Sequence, residues 1–205
     1  MKLLIVDDHA VVRQGVQRLL STIQNAVISE AETADQALAA ARKEPPDVIV
    51  LDINLDGASG LELLRRLKAE DIPSRVLMFS MHSEPAYASR AIKAGAYGYV
   101  CKSASAEELT AAVLRVAGGE RYIDASIAGE LVHTGAGSED PLLRLTNREL
   151  EILRMLGEGK SLQGIADAIG IAYKTVANSL SRIKEKLDLE RTSDLIRFSI
   201  ESRRV

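Results

Sequence analysis

Five polar residues whose types could together transfer a phosphoryl group stand at the ends of short apolar runs. They are Asp7, Asp8, Asp52, Ser80 and Lys102. Carboxylates gathered in one small site repel one another unless a cation joins them, and oxygen ligands suit Mg²⁺. An ionised Asp beside such a cation can attack phosphorus and form an aspartyl phosphate, while an ammonium neutralises the phosphoryl oxygens. Any one of these aspartates alone would be read as a strand-end turn or a helix cap.

The elements that must position these residues alternate along the first 120 residues. Five apolar runs without a period of two are typical of strands covered on both faces, and they lie at residues 3–6, 26–28, 48–51, 75–79 and 97–100. Segments with helical spacing follow them at residues 11–20, 34–41, 61–67, 86–92 and 109–116. Five βα units predict a doubly wound parallel sheet, whose strand ends share one edge where ligands bind.

Composition sets limits on the class of protein. Of 205 residues, 46% are hydrophobic and 3% aromatic, so the sequence predicts an aliphatic core and excludes stacking on exposed aromatic rings as the main way of holding a ligand. The single cysteine, Cys101, excludes internal disulfides and is interpreted as a small buried hydrophobe. No apolar run approaches the ~18–20 residues of a membrane span, so a cytoplasmic protein is expected.

The formal net charge of −3 conceals a division along the chain. Residues 1–120 carry 13 Lys+Arg and 16 Asp+Glu, and residues 121–140 carry 1 and 4. Residues 141–205 carry 12 and 9, a net charge of +3. An acidic first domain, an acidic Gly-rich linker with a short helix at residues 124–132, and a basic last domain are therefore predicted.

The last domain has the pattern of a helix-turn-helix. A capping box at residues 146–149 opens one helix, Ser161 can cap a second, and a third is predicted over about residues 173–187. On that third helix Val176, Leu180, Ile183 and Leu187 share a stripe, with Lys174, Asn178, Ser181 and Glu185 opposite. The polar stripe suits a DNA major groove, with Arg182 and Lys184 near phosphates, although a solvated helix face would look similar.

The first 120 residues resemble the receiver domain of two-component response regulators, with Asp7-Asp8, Asp52, Ser80 and Lys102 at the motif positions. The resemblance implies a flavodoxin-like fold in which Asp52 is the phosphoacceptor. It also implies that Asp7, Asp8, Asp52 and the backbone carbonyl of Asn54 form the Mg²⁺ site, with Asp7 acting largely through water. Ser80 and Tyr99 would be switch residues, and Asn54 and His82 match positions that tune phosphate lifetime. Ser103 stands where relatives have Pro, so a cis bond before it would cost ~3 kcal/mol.

Residues 142–205 resemble the four-helix DNA-binding domain of the LuxR/FixJ type. The match rests on residues 145–153, 159–161, 165–166, 174–176 and 186–187. Lys174 and Asn178 match base-contacting positions, and Thr175, Ser181 and Arg182 complete the predicted DNA-binding set. Ala177 replaces a Lys that many relatives have, so a relative's target sequence cannot be transferred.

Together the two resemblances identify the chain as similar to NarL/FixJ-family response regulators. They imply a transcription factor, not an enzyme, that accepts a phosphoryl group from a sensor histidine kinase and binds DNA as a homodimer when phosphorylated. Two alternatives stay open. The chain could bind DNA without phosphorylation, or it could be an aspartyl-phosphate phosphatase, which Asn54 disfavours because such enzymes carry an acid at that position.

Overall fold

The chain forms two compact units, residues 1–131 and 132–205. The computed structural model describes residues 1–55, 58–83, 85–124, 127–128 and 141–201. The predicted fold class is confirmed, because the first unit is a parallel sheet with flanking helices and the second is helical. Across the described ranges, no helix is both long enough and apolar enough to cross a membrane.

One parallel sheet of six strands organises the first unit. Its strands are β1 (Lys2–Val6), β2 (Val27–Ala31), β3 (Val48–Leu51), β6 (Arg75–Ser80), β7 (Gly98–Cys101) and β8 (Tyr122–Ile123). They lie side by side in the order β2-β1-β3-β6-β7-β8. Between β3 and β6, β4 (Asn54–Leu55) and β5 (Ala58–Ser59) form a separate antiparallel pair. Because β2 and β3 lie on opposite sides of β1, the chain reverses its winding direction between β1 and β3.

Within the described part of the first unit, five complete helices flank this sheet, and they are α1 (Ala10–Leu20), α2 (Ala34–Lys43), α3 (Gly60–Ala69), α4 (Pro85–Lys93) and α5 (Ala106–Ala117). The Thr33 and Ser105 side chains cap α2 and α5 by accepting hydrogen bonds from backbone N–H groups. Apolar side chains of α1 and α5 pack on one sheet face in an almost wholly aliphatic core. Full burial of each large aliphatic side chain contributes about 1.5–3 kcal/mol, so the strand ends are firmly held.

The short pair β4–β5 has no counterpart in the sequence-based prediction, and two strands of the parallel sheet also differ from it. The second strand extends to Ala31 instead of ending at residue 28, since an edge strand tolerates exposed polar residues such as Ser29 and Glu30. The two-residue strand β8 is absent from the prediction, because it is too short to form an apolar run. It pairs closely with β7 because Gly98 lacks a Cβ, which would lie 2.6 Å from the Tyr122 carbonyl oxygen.

The segment that joins the two units is described only in part. The N–H groups of Ile127 and Ala128 donate to the Asp124 carbonyl, in the first turn of the helix predicted at residues 124–132. The rest of that helix and the predicted linker at residues 133–140 lie outside the described residues. The peptide bond between Lys102 and Ser103 is trans.

The described residues of the second unit form a 3-10 turn followed by α-helices. These elements are the turn Pro141–Arg144, α6 (Asn147–Gly157), α7 (Leu162–Ala168), α8 (Tyr173–Leu187) and α9 (Thr192–Glu201). The Thr146–Glu149 capping box is present at α6, and Ser161 caps α7, as the sequence predicts. Helix α8 has the bounds expected from its apolar stripe. The count of four helices for the whole domain stays a prediction.

Candidate phosphoryl-transfer site and DNA-contacting helix

An acidic cluster lies where the sheet reverses its winding, at the carboxyl ends of β1 and β3. Asp7, Asp8, His9 and Asp52 each offer one ligand atom, and these four atoms all lie within 4.8 Å of one another. The Asp52 N–H donates to the Val6 carbonyl at 2.9 Å, which holds the residue after β3 beside the end of β1. Strand pairing therefore brings together acids that lie 45 positions apart in the sequence.

Lys102 joins this cluster from the end of β7. Its Nζ donates to Oδ2 of Asp7 and to Oδ2 of Asp52, each at 2.6 Å, and less than a tenth of each of these three side chains is exposed. The Lys102 N–H donates to the Ser80 carbonyl at 2.7 Å, which fixes its backbone to the end of β6. One ammonium thus faces two buried carboxylates, with Asp8 beside them.

The charges in this cluster shift one another's ionisation. Burial raises the pKa of the Asp52 carboxyl above its usual range, with a further rise from Asp7, and Lys102 offsets this only in part. Burial lowers the pKa of Lys102, but its contacts with Asp52 and Asp7 outweigh burial and raise it overall. The site keeps an excess of negative charge that a second cation would relieve.

The donor atoms fit a hard divalent cation. Asp8 Oδ1 is buried and has no well-aligned hydrogen-bond donor, and the polar atom beside it is His9 Nδ1 at 2.6 Å. Carboxylate oxygens gathered at one edge are the ligand type that Mg²⁺ and Ca²⁺ prefer. The acidic cluster of Asp7, Asp8 and Asp52 can therefore bind a metal ion.

The segment after Asp52 is shaped by a glycine that sequence reasoning overlooked. Gly60 opens α3, and a Cβ there would overlap the Asp52 carbonyl oxygen. The Gly60 N–H donates to the Ile53 carbonyl at 2.7 Å, and the Asn54 N–H donates to Asp52 Oδ1 at 3.3 Å. The only sequence signal was a glycine directly before a helical segment. This close approach holds Asn54, whose carbonyl was expected to bind the metal, next to the candidate acceptor.

His82 connects Ser80 with Tyr99. The His82 N–H donates to Ser80 Oγ at 3.2 Å, and the Tyr99 hydroxyl donates to the His82 carbonyl at 2.7 Å, with both Ser80 and Tyr99 fully buried. The His82 ring stacks on Tyr87 at 4.1 Å between ring centroids, and its Nε2 lies 3.0 Å from Asn54 Nδ2. The segment after β6 therefore contacts both predicted switch residues and the loop after Asp52.

Helix α8 of the second unit has the two faces that its sequence predicts. Val176, Leu180 and Ile183 are buried against the rest of the unit. The predicted DNA-binding side chains are all exposed, and they are Lys174, Thr175, Asn178, Ser181 and Arg182. The Ser181 hydroxyl donates back to the Ala177 carbonyl at 3.3 Å, which leaves its oxygen as an acceptor. The exposed face is polar and basic, as a DNA-contacting surface requires.

An ion pair fixes α8 against the start of α6. Lys186 Nζ contacts both carboxylate oxygens of Glu149 at 2.7 and 3.0 Å, while Glu149 Oε2 also accepts from the Thr146 N–H at 2.6 Å. Burial raises the pKa of Glu149, but Lys186 and Thr146 outweigh burial and lower it overall. Sequence reasoning found the capping box and missed its connection to α8.

Comparison with known proteins covers both units. Residues 3–114 match the family described as "Response regulator receiver domain", and residues 143–199 match "Bacterial regulatory proteins, luxR family". The transcriptional activator protein ExaE of Pseudomonas putida is 36% identical over 207 residues, which cover 98% of this chain and 97% of ExaE.

Solved structures agree with these matches. A LuxR-family two-component response regulator from Aurantimonas sp. SI85-9A1 has 36% identity and a TM-score of 0.63, covering 65% of this chain and 96% of its own. RcsB from Salmonella enterica serovar Typhimurium, bound to promoter DNA with the phosphomimetic BeF3-, has 24% identity and a TM-score of 0.62 over 99% of this chain and 98% of its own. The RcsB likeness concerns the fold alone.

The fold and the sequence matches define a two-component response regulator in which a receiver domain is joined to a LuxR-type helix-turn-helix domain. This chain belongs to the NarL/FixJ family of these transcription regulators.

Proposed function

We propose that the chain is a phosphorylation-dependent transcription factor that accepts a phosphoryl group on Asp52 from a sensor histidine kinase. The observation that carries the proposal is the buried Asp52 carboxylate, which Lys102 bridges to the Asp7 carboxylate where the sheet reverses its winding. In the transfer, an Asp52 oxygen attacks the phosphorus of a phosphohistidine and the P–N bond breaks. The donor histidine nitrogen takes up a proton as it leaves.

The neighbouring residues have separate roles in this transfer. Lys102 holds Asp52 and neutralises charge on the transferred phosphoryl group, since its ammonium is already 2.6 Å from the Asp52 carboxylate. Asp7, Asp8, Asp52 and the Asn54 carbonyl would hold Mg²⁺. When bound, Mg²⁺ supplies further neutralisation of the phosphoryl oxygens.

The switch starts at Ser80 and reaches Tyr99 through His82. A phosphoryl group on Asp52 attracts the Ser80 hydroxyl as a donor, and a moving hydroxyl disturbs the hydrogen bond from the His82 N–H. The His82 carbonyl holds the Tyr99 hydroxyl, so displacement of this segment changes the position of the tyrosine. Phosphorylation acts at a distance by biasing two conformations of this segment.

Helix α8 reads DNA through its exposed face. The Asn178 side-chain amide can donate to the N7 acceptor of adenine and accept from its N6 amino group in the major groove, and Lys174 can reach guanine or a phosphate. Thr175, Ser181 and Arg182 would contact phosphates or base edges. Because residues 141–205 carry a net charge of only +3, one copy binds weakly, and a phosphorylated homodimer on paired half-sites is the natural solution. RcsB, which shares the fold, has itself been solved as two dimers bound to two parallel DNAs.

Phosphoryl acceptance and DNA binding are assigned to the separate domains that the sequence predicts. Residues 1–120 form the receiver, residues 121–141 the linker with a short helix, and residues 142–205 the DNA-binding domain. The compact units 1–131 and 132–205 are compatible with this division.

Labelling with acetyl phosphate and Mg²⁺ tests the phosphoacceptor. We expect one phosphoryl group on a peptide that contains Asp52, and no labelling of Asp52→Asn, because an amide cannot form the acyl phosphate. Asp35→Asn is a matched control on α2 with an exposed carboxylate, and it should label like the unaltered protein. Labelling that persists in Asp52→Asn would remove Asp52 as the acceptor.

A further inference from the structure

The buried face of α1 contains a charged residue. Arg13, Val16 and Leu20 form that face, and only 7% of the Arg13 side chain is exposed. Burying a guanidinium is costly unless hydrogen bonds satisfy its nitrogens. Among the described residues Arg13 is the buried arginine, and the site described above does not use it.

All three guanidinium nitrogens of Arg13 donate hydrogen bonds around the ends of β1 and β2. Nη1 donates to the Asp7 carbonyl at 2.7 Å, Nη2 to Glu32 at 2.5 Å, and Nε to Glu30 at 3.3 Å. The two glutamates balance the guanidinium charge and fix the plane of its fork. A lysine has one nitrogen and cannot reproduce this geometry.

The Asp7 carbonyl belongs to the peptide group that links Asp7 to Asp8. On its other side, the Asp7 N–H donates to the Ala31 carbonyl at 3.3 Å. The peptide groups on both sides of Asp7 are therefore held by hydrogen bonds, one to the end of β2 and the other to Arg13. The Asp7 side chain then accepts from the His9 N–H at 2.8 Å through Oδ1 and from Lys102 through Oδ2.

We infer that Arg13 is a positioning residue for the acid pair, because it fixes the peptide plane from which the Asp7 and Asp8 side chains extend toward the metal. This inference rests on the proposed function, since it assigns the pair to Mg²⁺. Arg13 acts through the backbone and does not contact the cation or the phosphoryl group.

Two possible roles of Arg13, as a nearby positive charge and as a group that positions the acid pair, predict opposite effects of its removal on metal affinity. Removal of a positive charge close to an acidic site would strengthen the binding of a divalent cation by Coulomb attraction alone. Loss of the fixed peptide plane weakens binding, as loss of an outer-shell partner typically lowers metal affinity by about 10–100-fold. If a variant that lacks the Arg13 charge binds the cation more weakly, the loss of affinity comes from the peptide plane that Arg13 no longer fixes and not from the lost charge.

The test is isothermal titration calorimetry of the full chain with MgCl2. We expect the Kd to rise about tenfold in Arg13→Met and also in Arg13→Lys, which keeps the charge and loses the fork. Val16→Ala is the matched control, since it removes packing from the same helix face and no hydrogen bond to the Asp7 carbonyl, and its Kd should stay unchanged. The exchange rate of the His9 amide, measured by NMR, should rise in both Arg13 variants and not in Val16→Ala.

Three results separate the possibilities. An unchanged Kd and an unchanged His9 exchange rate in Arg13→Lys, with stability lowered as in Val16→Ala, would make the role merely structural and overturn the inference. Tighter Mg²⁺ binding by Arg13→Met would overturn it too. If the unaltered chain binds no Mg²⁺, the proposed function fails, and His9 exchange in Arg13→Lys still decides whether Arg13 positions the Asp7–Asp8 segment.

Discussion

Each unit of this response regulator pairs a lysine with acidic groups near a helix or strand end, yet the two arrangements differ in charge balance. In the receiver, Lys102 faces the carboxylates of Asp7 and Asp52. In the DNA-binding domain, Lys186 faces Glu149, whose carboxylate also accepts a backbone hydrogen bond.

The difference is visible in the ionisation of the carboxyls. The pKa of Asp52 is raised because burial and a second acid outweigh Lys102, so the fold holds its ionised form at a cost. The pKa of Glu149 is lowered because Lys186 and Thr146 outweigh burial, so the fold gains from its ionised form. A cluster with excess negative charge is suited to binding a cation, which then offsets the charge of a phosphoryl group, whereas a balanced pair is suited to holding two helices together.

The largest effect expected from this comparison is on phosphorylation. Lys102→Met should lower the initial rate of labelling by acetyl phosphate about 100-fold or more, because the ammonium that neutralises the phosphoryl oxygens is lost. Quantitative mass spectrometry of the Asp52 peptide measures the rate.

The control for this variant is Lys93→Met, which removes an exposed lysine of α4. Equal labelling rates for Lys102→Met and the unaltered protein would contradict the assignment of Lys102 to the transfer.

A smaller effect is expected on stability in the second unit. Glu149→Gln should lower the free energy of unfolding of this domain by about 1–2 kcal/mol, since it removes a charge-assisted pair whose lysine is 36% exposed and therefore partly screened. Denaturant titration with hydrogen exchange over residues 141–201 measures it in the full chain. Glu185→Gln, on the exposed face of α8, is the matched control.

The direction of the Glu149 pKa shift predicts how the stabilising effect of the Glu149–Lys186 ion pair changes with pH. Since folding lowers the pKa of Glu149, its contribution is present above the unfolded value of about 4.3 and is lost as pH falls through the folded value. The difference between Glu149→Gln and the unaltered domain should therefore disappear in acid. A difference that persists unchanged there would show that the charge of Glu149 does not stabilise the domain.

Much of this molecule could be predicted from residue types and their spacing. Apolar runs located the central strands, the parallel topology brought Asp7, Asp52 and Lys102 to one edge, and angular spacing separated the two faces of α8. Each of these follows from periodicity or from the rule that parallel strands end together.

The remaining features depend on backbone groups and on side-chain direction, which residue types do not specify. Arg13 binds a carbonyl, His82 connects Ser80 to Tyr99 through its own N–H and carbonyl, and Gly60 is required by the Asp52 carbonyl. Strand β8 is too short to give an apolar pattern. A sequence shows which side chains are available but not which main-chain atoms they meet.

The central claim is that a phosphoryl group on Asp52 controls how α8 binds DNA. Its most direct test is the affinity for DNA selected from a random pool, measured at one fixed salt concentration with and without acetyl phosphate and Mg²⁺. Phosphorylation should tighten binding by the unaltered chain and leave Asp52→Asn unchanged, while Asn178→Ala should bind about 1–3 kcal/mol more weakly in both states. Equal affinity of the unaltered chain and Asp52→Asn, insensitive to acetyl phosphate, would contradict the claim and indicate a regulator that binds DNA without phosphorylation.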